Sequence, residues 1–73
     1  MKRWYAVQRY LGDTEWGTGS YDYDEAVEML KNFVNSYGDN PEEMMIAVIE
    51  EPEDGEEGEP MCVEEIRALE IIE

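Results

Sequence analysis

Twenty Asp and Glu side chains stand against five Lys and Arg in this 73-residue chain, and no histidine occurs. Paired carboxylates are the raw material of glycoside hydrolysis, but such a pair works only when a cleft pushes one carboxyl up in pKa. A chain this short builds one small core and has little left for a deep substrate cleft. Without histidine, neither a Ser-His-Asp nor a Cys-His nucleophilic pair can be assembled, nor a His-containing zinc site. The lone cysteine, Cys62, cannot close an intrachain disulfide or supply the thiolates of a zinc or iron-sulfur centre. It reads as a small buried hydrophobe beside Val63. No enzymatic activity, no catalytic residue and no cofactor are expected.

Calcium is the other chemistry that clustered carboxylates raise, because it takes about six to eight oxygen ligands. The run from Glu50 to Glu59 holds seven carboxylates in ten residues, with Pro52, Gly55 and Gly58 among them. It lacks the alternating Asp and Asn ligands and the closing glutamate of an EF-hand, so it reads as a mobile acidic loop, 50–59, that attracts cations diffusely. Asp22 and Asp24 are better explained by a helix N-terminus than by a ligand pair. Gly17-Thr18-Gly19 lacks the lysine of a P-loop, and Asp13, Glu15, Asp22 and Asp24 around it would repel a phosphate. No metal site is expected.

The formal net charge of −15 disfavours direct binding to nucleic acid or to anionic membrane surfaces and favours basic partners. No segment approaches the roughly 18 apolar residues of a membrane span. After Met1-Lys2-Arg3, the residues Gln8 and Arg9 interrupt the apolar run a signal peptide needs, which with one unpaired cysteine points to the cytoplasm. Six of the eight aromatics, Trp4, Tyr5, Tyr10, Trp16, Tyr21 and Tyr23, fall in the first 23 residues. Some fill a core short of Leu and Phe; the remainder are surface anchors for a protein partner. Trp4, Tyr10 and Trp16 are the expected anchors. If instead the acidic surface acts, by imitating rows of phosphates, Glu28, Glu42, Glu43, Glu53 and Glu57 are its expected contacts.

These residues need elements to position them. Arg3 to Leu11 suits a strand, with Tyr5, Val7 and Leu11 on the face toward the core and Trp4, Ala6 and Tyr10 on the other. After a hairpin connection at Gly12 to Glu15, Trp16 to Tyr21 returns as a short strand weakened by Gly17 and Gly19. Asp22 opens a helix, with Glu25 placed to complete a capping box, and Tyr23, Ala26, Val27, Leu30, Phe33, Val34 and Tyr37 form its apolar stripe. Gly38 stops it, and Asn40-Pro41 follows. Met44 to Ile49 is an unbroken apolar run, expected as the central strand. Met61 to Glu65 reads as a strand, while Val63, Ile66, Leu69 and Ile72 recur every three residues, so 61–73 is left between strand and helix. The expected fold is α+β, a small, mainly antiparallel sheet against one principal helix, in a single domain spanning residues 1–73.

Trp4-Tyr5-Ala6-Val7, the turn Trp16-Gly17-Thr18-Gly19-Ser20-Tyr21-Asp22 into Glu25-Ala26, the strand Ile46-Ala47-Val48-Ile49 and the ending Cys62-Val63-Glu64-Glu65-Ile66 are similar to small acidic uncharacterised proteins encoded on phages and conjugative elements of Gram-positive bacteria. The resemblance covers nearly the whole chain, although the acidic loop is longer than in that group. It implies a shared fold and genomic setting, transfers no catalytic residue, and would make the blocked target a host defence enzyme or a nucleic-acid-binding protein. The sequence thus leads to a non-enzymatic acidic protein-protein interaction module, monomeric or weakly dimeric. The alternative is a nucleic-acid mimic inhibiting a host DNA-binding or RNA-guided enzyme.

Overall fold

In the computed structural model, which describes residues 2–13 and 15–72, the alternation of strand β1 (Lys2–Gln8) divides the molecule. Tyr5 and Val7 point to one face and Trp4 and Ala6 to the other, each into its own apolar cluster. Strands β2 (Gly19–Ser20), β3 (Met45–Glu51) and β4 (Met61–Arg67) complete an antiparallel sheet ordered β2-β1-β3-β4. Helix α1 (Tyr23–Tyr37) connects β2 to β3, and a short α2 (Ala68–Ile72) follows β4. This is the α+β architecture expected from the sequence.

The apolar run of β3 is central because β1 and β4 pair along its two edges, leaving Ile46, Ala47, Val48 and Ile49 all buried. Helix α1 covers the Val7 and Ile46 face, burying Ala26 and Leu30 against them together with Met44 and Ala68. Asp22 caps the helix by accepting from the Asp24 amide at 3.0 Å. The expected capping-box role of Glu25 falls instead to Ser20, whose Oγ accepts from the Asp22 amide at 3.0 Å. Gly38 stops the helix with φ 72°, and the Asp39 amide donates back to the Phe33 carbonyl at 3.2 Å. Tyr23 and Tyr37, at the two ends of the predicted stripe, are exposed.

Four boundaries differ from the sequence reading, each for a local reason. β1 ends at Gln8, the last residue with a partner on β3 (Met45), and the chain turns where the Asp13 carboxylate accepts from the Arg9 amide at 3.3 Å. Tyr10 and Leu11 are left exposed in that turn. The return strand shrinks to two residues because Trp16 adopts a left-handed φ of 53° that breaks extended geometry. The acidic segment expected as a loop from Glu50 begins only at Pro52, since Glu50 and Glu51 stay in β3 opposite Arg3 and Lys2, whose charges are complementary. At the C-terminal end, β4 runs to Arg67 before α2 starts. Its pairing skips Val63 between Glu64 and Cys62, a bulge that shifts the phase of the strand. The period-three series is not the buried set: Val63, Leu69 and Ile72 are exposed, while Ala68, whose amide donates to the Met44 carbonyl at 3.1 Å, is buried and Ile71 packs on the core.

Arg9 ties the end of β1 to the end of α1. Its guanidinium lies 4.4 Å from the centroid of Phe33 and 5.1 Å from that of Tyr37, and it grips Asp39 with Nε at 2.6 Å and Nη2 at 3.1 Å. The hydrogen bonds from Arg9 hold the Asp39 carboxyl below the ordinary aspartate range. A carboxyl whose pKa is depressed by folding stabilises the fold above its unfolded value, about pH 4, and loses that contribution as pH falls through the lower folded value. Asp39→Asn is thus expected to lower the urea midpoint at neutral pH, although it removes one negative charge from a −15 chain. The gap to wild type should close below about pH 4. A gap that is equal at both pH values would mean that the negative charge of Asp39 contributes nothing.

Candidate interaction site

The face of the sheet opposite α1 carries three of the six aromatic residues that the sequence places near the N-terminus, Trp4, Trp16 and Tyr21, whereas Tyr5 packs on the α1 side and meets Tyr23. Gly19, Ala6 and Ala47 stand side by side on β2, β1 and β3, so three of the smallest side chains meet at one level of the sheet. Trp16 packs over Ala6, Ala47 and Ile49 together with Trp4 and Cys62. Ala6 and Ala47 are fully buried as a result. The left-handed backbone at Trp16, followed by Gly17, turns the indole back over the strands. Its Nε1 is buried with no acceptor among the described residues, and it coincides with a costly backbone conformation at the same residue.

Trp4 anchors this arrangement by donating from Nε1 to the Trp16 carbonyl at 3.2 Å. Tyr21 stands edge-on to Trp4, with ring centroids 4.9 Å apart and planes inclined by 68°. Its hydroxyl donates to the Glu51 carboxylate at 3.2 Å. These rings, with the buried Ile49, Pro60 and the carboxylates of Glu15 and Glu51, line an open cleft of about 340 Å³. Trp4 and Trp16 are half-buried, whereas Tyr21 is 57% exposed and stands at the mouth.

Of the anchors expected from sequence, Trp4 and Trp16 are brought together and Tyr10 is not, since it lies in the exposed turn after β1. Tyr21, Glu15 and Glu51 complete the cleft and were not among the expected contacts. Glu51 was missed because the acidic run hides that it continues β3 in phase with Ala47 and Ile49. The five glutamates expected as a phosphate-like surface are all exposed but divided among elements: Glu28 on α1, Glu42 and Glu43 in the turn before β3, Glu53 and Glu57 in the 52–60 loop. Cys62 packs against the apolar cluster as a small hydrophobe, with Sγ 3.5 Å from the Glu64 carbonyl. Among the described residues, no three Cys, Asp or Glu side chains are grouped to hold a metal ion, and no helix is long and apolar enough to cross a membrane.

No protein-family model, curated protein or solved structure matches the chain.

Proposed function

We propose that the protein is a non-enzymatic interaction module that engages a basic protein partner through the open, aromatic face of its sheet. The observation that carries this reading is the placement of Trp4, Trp16 and Tyr21 around a carboxylate-edged cleft on the face that α1 leaves uncovered. Aromatic residues of this kind dominate the energetics of protein interfaces, and a net charge of −15 steers oppositely charged partners toward them. The same charge opposes self-association at low salt, in keeping with a monomer or a weak dimer. The reading places the protein in the cytoplasm, and the resemblance to proteins of mobile elements would make a host protein the target.

Nucleic-acid mimicry is the competing proposal. It draws on exposed carboxylates such as Glu28, Glu42 and Glu43, but their spread over separate elements favours it less than the built cleft favours the first. A pull-down from native lysate with tagged wild type and Tyr21→Ala, each at low and high salt, separates the two. A basic protein captured by wild type, retained in part at high salt and lost with Tyr21→Ala, is the expected result. A partner held equally by the variant and released by added DNA or RNA would replace the module with the mimic.

A further inference from the structure

We infer that the cleft between Trp4, Trp16 and Tyr21 is a receptor for one cationic side chain, an arginine or lysine of the basic partner, seated against the rings and beneath the two rim carboxylates. This rests on the proposed module reading and adds to it the chemistry of its central contact. Three features point to a cation rather than to an apolar anchor. Three of the lining side chains are aromatic, beside the aliphatic Ile49 and Pro60, and the faces of Trp and Tyr rings carry the negative quadrupole that attracts a positive charge. The rim carries Glu15 and Glu51, so an apolar group entering the cleft would desolvate carboxylates without pairing them, whereas a guanidinium or ammonium would pair them. The Glu51 carboxylate is also oriented in advance, because the Tyr21 hydroxyl holds it at 3.2 Å while the Tyr21 ring meets Trp4. The same tyrosine thus sets both a ring wall and a carboxylate, which lowers the ordering that binding would otherwise require.

Trp4 and Trp16 are the only tryptophans in the chain, so their two indole N–H signals report directly on the cleft. The test is a titration of the intact protein followed by ¹H–¹⁵N NMR, with N-acetyl-argininamide and N-acetyl-lysinamide as probes. N-acetyl-citrullinamide and N-acetyl-norleucinamide serve as neutral controls of nearly the same shape. Saturating shifts of the indole signals with a cationic probe, at an affinity at least about threefold above its neutral control, are expected from a cation seated on exposed rings. Tyr21→Ala and Glu51→Gln should each weaken that probe about two- to fivefold, while Tyr10→Ala, remote from the cleft, should leave it unchanged. The wild-type dispersion of the remaining amide signals certifies that each variant is folded. Equal shifts with charged and neutral probes, or none with either, would overturn the cationic seat. If that occurred while capture of a basic partner still depended on Tyr21, the module would stand and only its central contact would be wrong. Cation-selective shifts without any captured partner would leave the seat in place and remove the module reading.

Discussion

Replacing Leu30 by alanine is expected to lower the melting temperature by about 12–24 °C, the shift that roughly 3 kcal/mol produces in a domain of this size. Leu30 is fully buried at the middle of α1, packed among Val7, Met44, Ile46 and Ala68. The cavity left by truncation cannot collapse easily, because Val7 and Ile46 belong to paired strands that would have to leave register to fill it. A chain of this length has a total stability of roughly 4–11 kcal/mol, so the loss is a large share of it. Thermal melts followed by circular dichroism, with Leu69→Ala as the exposed control, measure the effect. A drop of less than about 4 °C for Leu30→Ala would show that the α1 face is not the cooperative core.

That core was legible in the sequence because its signals are local and repeated. The stripe on α1, its Asp22 cap and Gly38 stop, the alternation of Tyr5 and Val7, and the apolar run of β3 each follow from a few neighbouring residue types. The second face was harder to read. Its floor is defined by residues that are small, and the significance of Gly19, Ala6 and Ala47 emerges only when the register of three strands sets them in a row. Trp16 sits over that row because of a left-handed turn that no periodicity announces, and Glu51 reads as loop until its pairing with Lys2 is known. At the C-terminal end, α2 starts at Ala68, whose amide donates to the Met44 carbonyl at 3.1 Å, so Ala68 and Ile71 pack on the core while Leu69 and Ile72 stay exposed. Local composition proposes strands, but inserted residues and cross-strand neighbours decide which side chains face inward.

The same row makes Gly19→Ala the sharpest link between the fold and the cleft. A Cβ at Gly19 would lie 2.2 Å from the Tyr5 carbonyl oxygen and 2.9 Å from Ala6 Cα, both main-chain atoms of β1. Neither can move without opening the pairing of Tyr5 with Ser20 and of Ala6 with Gly19, which is the whole of the β1–β2 ladder. The consequences reach both flanks of the strand. On one side, the Val7 amide loses the Thr18 carbonyl at 2.8 Å, and the turn that lays Trp16 over Ala6 and Ala47 loses its anchor. On the other side, Ser20 shifts away from the Asp22 amide that it supports at the start of α1, and Tyr21 moves with it. A loss of about 2–3 kcal/mol is expected from forcing a methyl group into packed backbone, or roughly 8–24 °C in melting temperature. Gly17→Ala, whose added methyl meets nothing within 4 Å, should remain within about 0.5 kcal/mol of wild type. Measured well below its melting point, Gly19→Ala should keep the helical circular dichroism of α1 yet lose the indole response to N-acetyl-argininamide, because the cleft depends on β2 whereas the core under Leu30 does not. Retention of both stability and probe binding would mean that the Trp16 turn is held by its packing on the alanines alone and that the close backbone approach at Gly19 is incidental.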